Sequence, residues 1–530
     1  MAMPKFITGE QAGQLIKDGD TIATCGFIGM GCADEIFYNI EKRFLETGAP
    51  KDLILTWGAS VSDSASYIGC NRFAHDGMVK RIIVGHIGLT VDLVKMAVAN
   101  KFEAFNFPQG VLLHLYRAKG GKKPCIITPV GLGTYVDPRE EGGRLNEKAR
   151  NSDFDIVSVV EIDGEEYLMY KTFPIDVAII RGTTADEKGN ITLEREACIL
   201  EDYAIALAAK ASGGIVIAQV ERQAYAGTLN PKDVRVPGTV VDYVVVSSDP
   251  GKFHEQSFYA PYDGSLSGEF RVPLNAVEPM PLTERKILAR RGAMELVPAA
   301  VVNLGIGVPS DIGSIAAEEG LASELTMSVE SGPVGGAPCS GLKFGCAINA
   351  DAIIESTEQF DFYDCGGLDL TVLGMAELDE GGNVNVSKFG PKIAGCGGFI
   401  NITQNTNVVV FTGTFTAGGL KVKTGDGKLE IVQEGKVKKL IKAVEQKTFS
   451  GATAVKNNQK ILYVTERAVF EMRPEGLTLV EIAPGIDLQT QVLDLMEFKP
   501  VVAADLKLMD ERIFKDEPMG IYDEIMAKAK

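Results

Sequence analysis

Short apolar runs alternate with stretches of helical periodicity along this chain, which is the pattern of an α/β protein. Lys17-Asp18-Gly19-Asp20 reads as a turn, and Thr21-Ile22-Ala23-Thr24 predicts a strand. A glycine-rich bend follows, Gly26-Phe27-Ile28-Gly29-Met30-Gly31, and then Ile36, Phe37, Ile40 and Phe44 at helical spacing predict a helix over 33–45. A similar unit recurs late in the chain. There the pattern predicts a helix over 286–296, a strand over 299–304, a bend at Gly305-Ile306-Gly307-Val308-Pro309 and a helix over 310–319. The expected architecture is two similar open α/β domains.

The join between them falls where periodicity fades and prolines accumulate, at Pro250, Pro261, Pro273, Pro279 and Pro281. This predicts a domain over 1–246, a linker over 247–282 and a second domain over 283–530, consistent with a 530-residue chain. Hydrophobic residues at 45% and charged residues at 23% fit an ordinary globular protein. The 71 acidic side chains outnumber the 53 basic ones, a net charge of −18 that disfavours binding to nucleic acid. No apolar run approaches the ~18 residues of a membrane span, so no membrane partner is expected. The opening, MAMPKFITGEQAG, has no basic patch followed by an apolar stretch, and a cytoplasmic location is expected.

Nine cysteines are scattered without a CxxC pair, which argues against a zinc site and a disulfide framework. The four histidines, His75, His86, His114 and His254, all lie in the first half, and there is no G-x-S-x-G elbow. No metal is expected. Chemistry in the second half must therefore use carboxylates, hydroxyls, amides or thiols.

Each glycine bend is either an anion site fed by helix N–H groups or only a tight turn that requires positive φ. Neither bend has the dinucleotide spacing, although Glu330 follows Ser310 roughly where a ribose-binding acid would stand. Leu325-Thr326-Met327-Ser328-Val329-Glu330 is a β-prone run that delivers one carboxylate and stops at once in Ser331-Gly332-Pro333. A carboxylate on a strand end beside small residues is either a reacting group held on a rigid element or an acid facing water. Gly395-Cys396-Gly397-Gly398 frees backbone N–H groups for an oxyanion or is a plain loop. Gln109, in Phe107-Pro108-Gln109-Gly110, is an amide set in an apolar run, where it either faces a ligand or satisfies local backbone.

Taken together these pieces resemble the family I CoA-transferases. The resemblance continues through Val130-Gly131-Leu132-Gly133-Thr134, Asn303-Leu304-Gly305-Ile306-Gly307, Glu330-Ser331-Gly332 and Gly367-Leu368-Asp369-Leu370-Thr371. Val136-Asp137-Pro138-Arg139, Gln359-Phe360-Asp361-Phe362-Tyr363, Gly413-Thr414-Phe415-Thr416-Ala417-Gly418 and Ile482-Ala483-Pro484-Gly485 are similar to the bacterial acetate and propionate enzymes. The 3-oxoacid enzymes have Glu-Asn-Gly where this chain has Glu330-Ser331-Gly332, so their substrate preference is not carried over.

The resemblance implies that Glu330 is the catalytic carboxylate, linked first to an acyl group and then to CoA. It implies that Gln109 and the N–H of Gly398 stabilise the oxyanion. It sets Asn303, Gly305, Gly307, Gly397, Ala417 and Gly418 against coenzyme A, which acts as co-substrate with no permanently bound cofactor. The implied partners are acyl-CoA and short-chain carboxylates, and relatives form homo-oligomers, dimers or tetramers. Because Gln109 comes from the first half and Gly398 from the second, the active site is expected to lie between the domains. The CoA phosphates need a local basic patch, with Lys421 and Lys423, or Lys436, Lys438 and Lys439, as candidates. The competing functions are acyl-CoA hydrolysis on the same scaffold and non-catalytic nucleotide binding.

Overall fold

The structure is a computed structural model that describes residues 3–65, 68–274 and 279–528. Positions 275–278, inside the expected linker, lie outside the described residues. The chain forms two compact units. The first gathers Met1–Val272 with two later segments, Val329–Asp361 and Gly390–Asn401. The second holds Pro273–Ser328, Phe362–Phe389 and Ile402–Lys530.

The first unit is built on an eight-strand parallel path. Its order runs Lys5–Ile7, Tyr243–Val246, Ile215–Ala224, Val177–Asp186, Thr21–Thr24, Leu53–Trp57, Val79–Val84 and Glu103–Asn106. All seven pairings along this path are parallel. The early strands wind outward from Thr21–Thr24 in one direction and Val177–Asp186 begins the other half, so the order reverses at Thr21–Thr24. Ligands of open α/β sheets bind at such a reversal, beyond the carboxyl ends of the strands. The predicted strand at 21–24 is seen as expected, and the following helix spans Asp34–Thr47. Ile36, Phe37 and Ile40 bury its inner face, and Gly48 ends it at φ +74°, its N–H donating to the Phe44 carbonyl.

In the second unit, Thr326–Ser328, Val301–Leu304, Leu370–Gly374, Val408–Thr412 and Lys460–Val464 run parallel. Ala468–Arg473 and Gly476–Ile482 continue the sheet antiparallel, and Val501–Leu508 closes it parallel to its neighbour. The helix expected over 286–296 spans Glu284–Ala293. The one expected over 310–319 is preceded by a 3-10 turn, Val308–Ser310, with Pro309 at its start where no intrahelical N–H is needed, and continues as Asp311–Glu318. Among the described residues no helix is long and apolar enough to cross a membrane.

Candidate active site

Gln109, Glu330, Gly397 and Gly398 all belong to the first unit. The later two segments of that unit are the ones that carry the carboxylate and the glycine loop.

Gln109 is the first residue of the helix Gln109–Gly120, which starts just past the strand Glu103–Asn106. The first turn of a helix leaves N–H groups without helical partners. Here the Gln109 N–H donates to the Gly397 carbonyl at 2.8 Å, and the Gly110 N–H donates to Asn401 Oδ1 at 3.0 Å. The glycine loop thus caps the helix that carries the amide. Its other anchors reach the neighbouring strand ends. Ile87 and Gly88 donate to the Ala394 carbonyl, the Gly397 N–H donates to the Gly85 carbonyl, and Cys396 N–H donates to Asn106 Oδ1. Asn106 is wholly buried, and its amide nitrogen donates to the carbonyls of Val84 and Gly85, both at 2.6 Å. Tyr135 donates its hydroxyl to Asn106 Oδ1 as well. One buried amide therefore ties two strand ends to the loop.

Close packing at this edge is made possible by missing side chains. A Cβ on Gly85 would stand 2.2 Å from the Gly58 carbonyl and 3.1 Å from Gln109 Cα. Gly397 lies at φ +51°, a left-handed conformation. Gln109 is 3% exposed, yet among the described residues no protein group hydrogen-bonds its side-chain amide. Among the same residues no acceptor faces the Gly398 N–H. Both donors are free for a ligand oxygen. His86, beside the loop, bonds Ser60 Oγ through Nδ1 at 2.8 Å, and burial pulls its pKa down to about 4, so the ring is neutral at neutral pH.

Glu330 differs slightly from its expected position. The strand ends at Ser328, and the carboxylate sits two residues later, half-buried in a tight turn. The Val329 N–H donates to the Pro333 carbonyl, and the Gly332 N–H donates back to the Val329 carbonyl. Gly332 closes this turn: its φ is +121°, and a Cβ there would stand 2.1 Å from the Ile354 carbonyl. The neighbouring Ser331 is fully buried, and its hydroxyl donates to the Gly345 carbonyl. Cys198 Sγ donates to that same carbonyl at 3.3 Å. Gly345, at φ +114°, packs where a Cβ would meet the Phe27 ring at 2.4 Å, and Phe344 stacks on Phe27 at 6.2 Å. The glycine bend at 26–31 thus props the segment that holds the Glu330 turn.

A second chain of contacts runs from that turn toward Gln109. The Ile354 N–H donates to the Gly332 carbonyl, and two residues on, Ser356 Oγ donates to Glu201 Oε2 at 3.2 Å. The other oxygen, Glu201 Oε1, lies 3.5 Å from where a Cβ on Gly58 would be, and Gln109 Cγ lies 3.2 Å from the same point. Burial, helped by the neighbouring acids Asp202 and Glu355, raises the Glu201 pKa to about 8, so it is a neutral acid at pH 7. Glu201 was not singled out from the sequence, and His86, Asn106 and Asn401 stood there only as members of a count or a motif, with no role assigned. The signal available for Glu201 is the pair of adjacent acids Glu201-Asp202 before an apolar helix.

The remaining expected residues belong to the second unit. Asn303 is 1% exposed, and its amide nitrogen donates to the Ser328 carbonyl at 3.1 Å, while Thr371 Oγ1 donates to its carbonyl oxygen. The Gly305 N–H donates to the Val372 carbonyl, and a Cβ there would meet Leu373 at 2.9 Å. Gly307, at φ +89°, has open space on its Cβ side, and its carbonyl accepts from Ser310. Ala417 pairs with Val437 in a two-strand ribbon that turns through Gly418 at φ +77° and Gly419 at φ +105°. Of the candidate lysines, Lys421, Lys423, Lys436 and Lys438 are exposed. Lys439 is buried, which lowers its pKa to about 8.

Residues 8–247 match the family model described as Coenzyme A transferase. The caffeate CoA-transferase of Acetobacterium woodii is 48% identical over 532 residues, which covers 99% of this chain and 100% of that one. The acetate CoA-transferase YdiF of Escherichia coli O157:H7 is 42% identical over 516 residues, covering 97% and 96%. The crystal structure of the E. coli acyl-CoA transferase YdiF as a thioester complex with CoA superposes with a TM-score of 0.90 at 41% identity, covering 98% of this chain and 97% of that one. On this similarity along its whole length, the chain belongs to the coenzyme A transferase family and is a CoA-transferase.

Proposed function

We propose that this enzyme moves CoA between a short-chain acyl-CoA and a short-chain carboxylate by a ping-pong route through Glu330. The Glu330 carboxylate attacks the thioester carbonyl, and collapse of the tetrahedral intermediate expels CoA thiolate and leaves an acyl–glutamyl anhydride. The thiolate then attacks the Glu330 carbonyl carbon, which frees the first acid and leaves a glutamyl–CoA thioester. A second carboxylate reverses both steps and departs as the new acyl-CoA. Both nucleophiles are anions, so no general base is needed. That agrees with a neutral His86 and with the lack of histidine in the second half of the sequence.

Each tetrahedral intermediate needs donors aimed at its oxygen, and the observation that carries this reading is the pair of unused donors, the Gln109 amide and the Gly398 N–H, held on one pinned loop and helix start. The crystallised thioester of the 41% identical YdiF supports the same type of intermediate here. In this reading Asn303, Gly305, Gly307, Gly397, Ala417 and Gly418 line the CoA arm, and the molecule works as a dimer or tetramer. The 48% identity to a caffeate CoA-transferase favours a second reading, in which the accepted acid is a bulky aromatic one.

Mass spectrometry of enzyme quenched during turnover tests the route. CoA is expected on the tryptic peptide that contains Glu330, with fragment ions placing it on Glu330 and not on Cys339 of the same peptide; an adduct on a cysteine, or none, overturns it. Transfer from acetyl-CoA to acetate, propionate, butyrate, lactate and caffeate in parallel decides between the two substrate readings.

A further inference from the structure

We propose that Cys339 and Cys346 form a reversible disulfide, a modification site for small disulfide oxidants of the glutathione class. The two cysteines continue an antiparallel ribbon in which Ala337 pairs with Ile348 and Pro338 with Ala347. The next pair in register is Cys339 and Cys346, and the Cys339 N–H donates to the Cys346 carbonyl at 2.9 Å. Residues opposite each other on such a ribbon project from the same face with Cβ atoms ~5 Å apart. Only one of the two ladder bonds forms here, since the Cys346 N–H donates to the Lys343 carbonyl instead. Cα atoms of directly opposed residues nevertheless stand ~4.5–5.5 Å apart in either type of pair, inside the range that a disulfide spans. Both thiols are free in the structure.

Their surroundings assign them different parts. Cys339 is part-exposed. Its thiol pKa is lowered by the neighbouring Cys346 thiol, by the Lys343 ammonium and by the Ile348 N–H, against burial, while the Cys346 thiol itself donates to the Lys343 carbonyl at 2.9 Å. Cys346 is buried, and both the nearby Cys339 sulfur and its burial keep it in the thiol form. An accessible thiolate beside a resolving thiol is the arrangement of redox-sensitive cysteines. The Cys339 thiolate attacks one sulfur of oxidised glutathione, forming a mixed disulfide and releasing one glutathione thiolate. Cys346 then gives up its proton and attacks Cys339 Sγ, releasing the second glutathione thiolate. Two protein thiols lose two electrons and two protons, and one glutathione disulfide becomes two thiols.

The site bears on the Glu330 turn. Gly345, directly before Cys346, supplies the carbonyl that accepts from both Ser331 and Cys198. Drawing Cys346 toward Cys339 shifts that carbonyl and loosens the Ser331 anchor beside Glu330.

The test treats the whole enzyme with excess oxidised glutathione and maps it without reduction. Trypsin cuts after Lys343, between the two cysteines, so the expected product is the peptide ending at Lys343 joined by a disulfide to the one beginning at Phe344, with fragment ions placing the bond on Cys346 and not on Cys365 of the same peptide. CoA transfer is expected to fall at least tenfold and to return with dithiothreitol. Cys346→Ser is expected to stop at a glutathione adduct on Cys339, and Cys339→Ser to give neither adduct nor inhibition. Wild type that accumulates the Cys339 adduct without the linkage, reacts only at the exposed Cys365, or keeps full turnover when linked overturns the proposal. The linkage is read by mass alone, so its failure is separate from any failure of the transfer route.

Discussion

At the scale of single residues, the candidate chemistry concentrates in one carboxylate and two donors, and each has its own expected signature. Glu330→Ala is expected to lower CoA transfer by ~10³-fold or more while melting as the wild type does, because the side chain is half-buried on a turn held by backbone bonds. Near-normal turnover in that variant excludes the route. Gln109→Ala removes one oxyanion donor, a loss of ~10²–10³ in kcat with little change in the KM for acyl-CoA. A change confined to KM would assign Gln109 to binding instead. Glu201 acts on stability. Its folded pKa, about 8, stands above the ordinary carboxylate value, so between those two values the native state holds a proton that the unfolded chain has released. Stability from this group is complete below the unfolded pKa and is lost as pH rises through the folded one. Asp202, raised to about 6, adds to the same slope. Glu201→Gln keeps a neutral side chain of the same shape, so its melting temperature is expected to exceed the wild type's at pH 8 and to match it near pH 4.5. Equal differences at both pH values would remove the buried acid from this role.

At the scale of elements, the sequence made the regular parts legible and left the irregular joints obscure. The strand at 21–24 and the helix after it follow from local periodicity alone, and both are present. Glu330 was expected on a strand end, but the strand stops two residues earlier. There the chain turns, with Val329 bonded to Pro333 and Gly332 packed against the backbone of Ile354, a residue whose proximity to Gly332 no local pattern reveals. The same holds for Asn401, which accepts from a helix-start N–H 291 positions earlier in sequence, and for Asn106, whose bond to the glycine loop spans 290. Side chains that join distant segments leave no periodic trace, whereas the groups expected to react stood out because glycines surround them. Gly332→Ala tests the joint itself. The added methyl meets the Ile354 carbonyl and the φ is hostile to any Cβ, so a destabilisation of about 2–3 kcal/mol is expected. Turnover should fall too, although Glu330 keeps its chemistry. A variant that melts and turns over like wild type would show that the turn does not position the carboxylate.

At the scale of the whole molecule, the important feature is that the first unit is assembled from three separated stretches of chain. The fragment 1–272 contains its entire eight-strand parallel path but lacks Val329–Asp361 and Gly390–Asn401. Without them the N-terminus of the helix Gln109–Gly120 loses the Gly397 carbonyl and the Asn401 side chain that receive its first N–H groups. The N–H groups of Ile87 and Gly88 lose the Ala394 carbonyl, and buried Glu201 loses Ser356. Buried polar groups left without partners each cost about 1–3 kcal/mol, so these losses together rival the 5–15 kcal/mol by which a typical domain is stable. The isolated fragment is therefore expected to show no cooperative thermal transition by calorimetry, despite having the complete sheet. Co-expression with 273–530 should restore a cooperative transition, because that piece carries both missing segments. If the fragment alone melts cooperatively near the full-length temperature, the two late segments are only guests on a finished fold, and the pinning of the glycine loop owes nothing to the stability of the sheet beneath it.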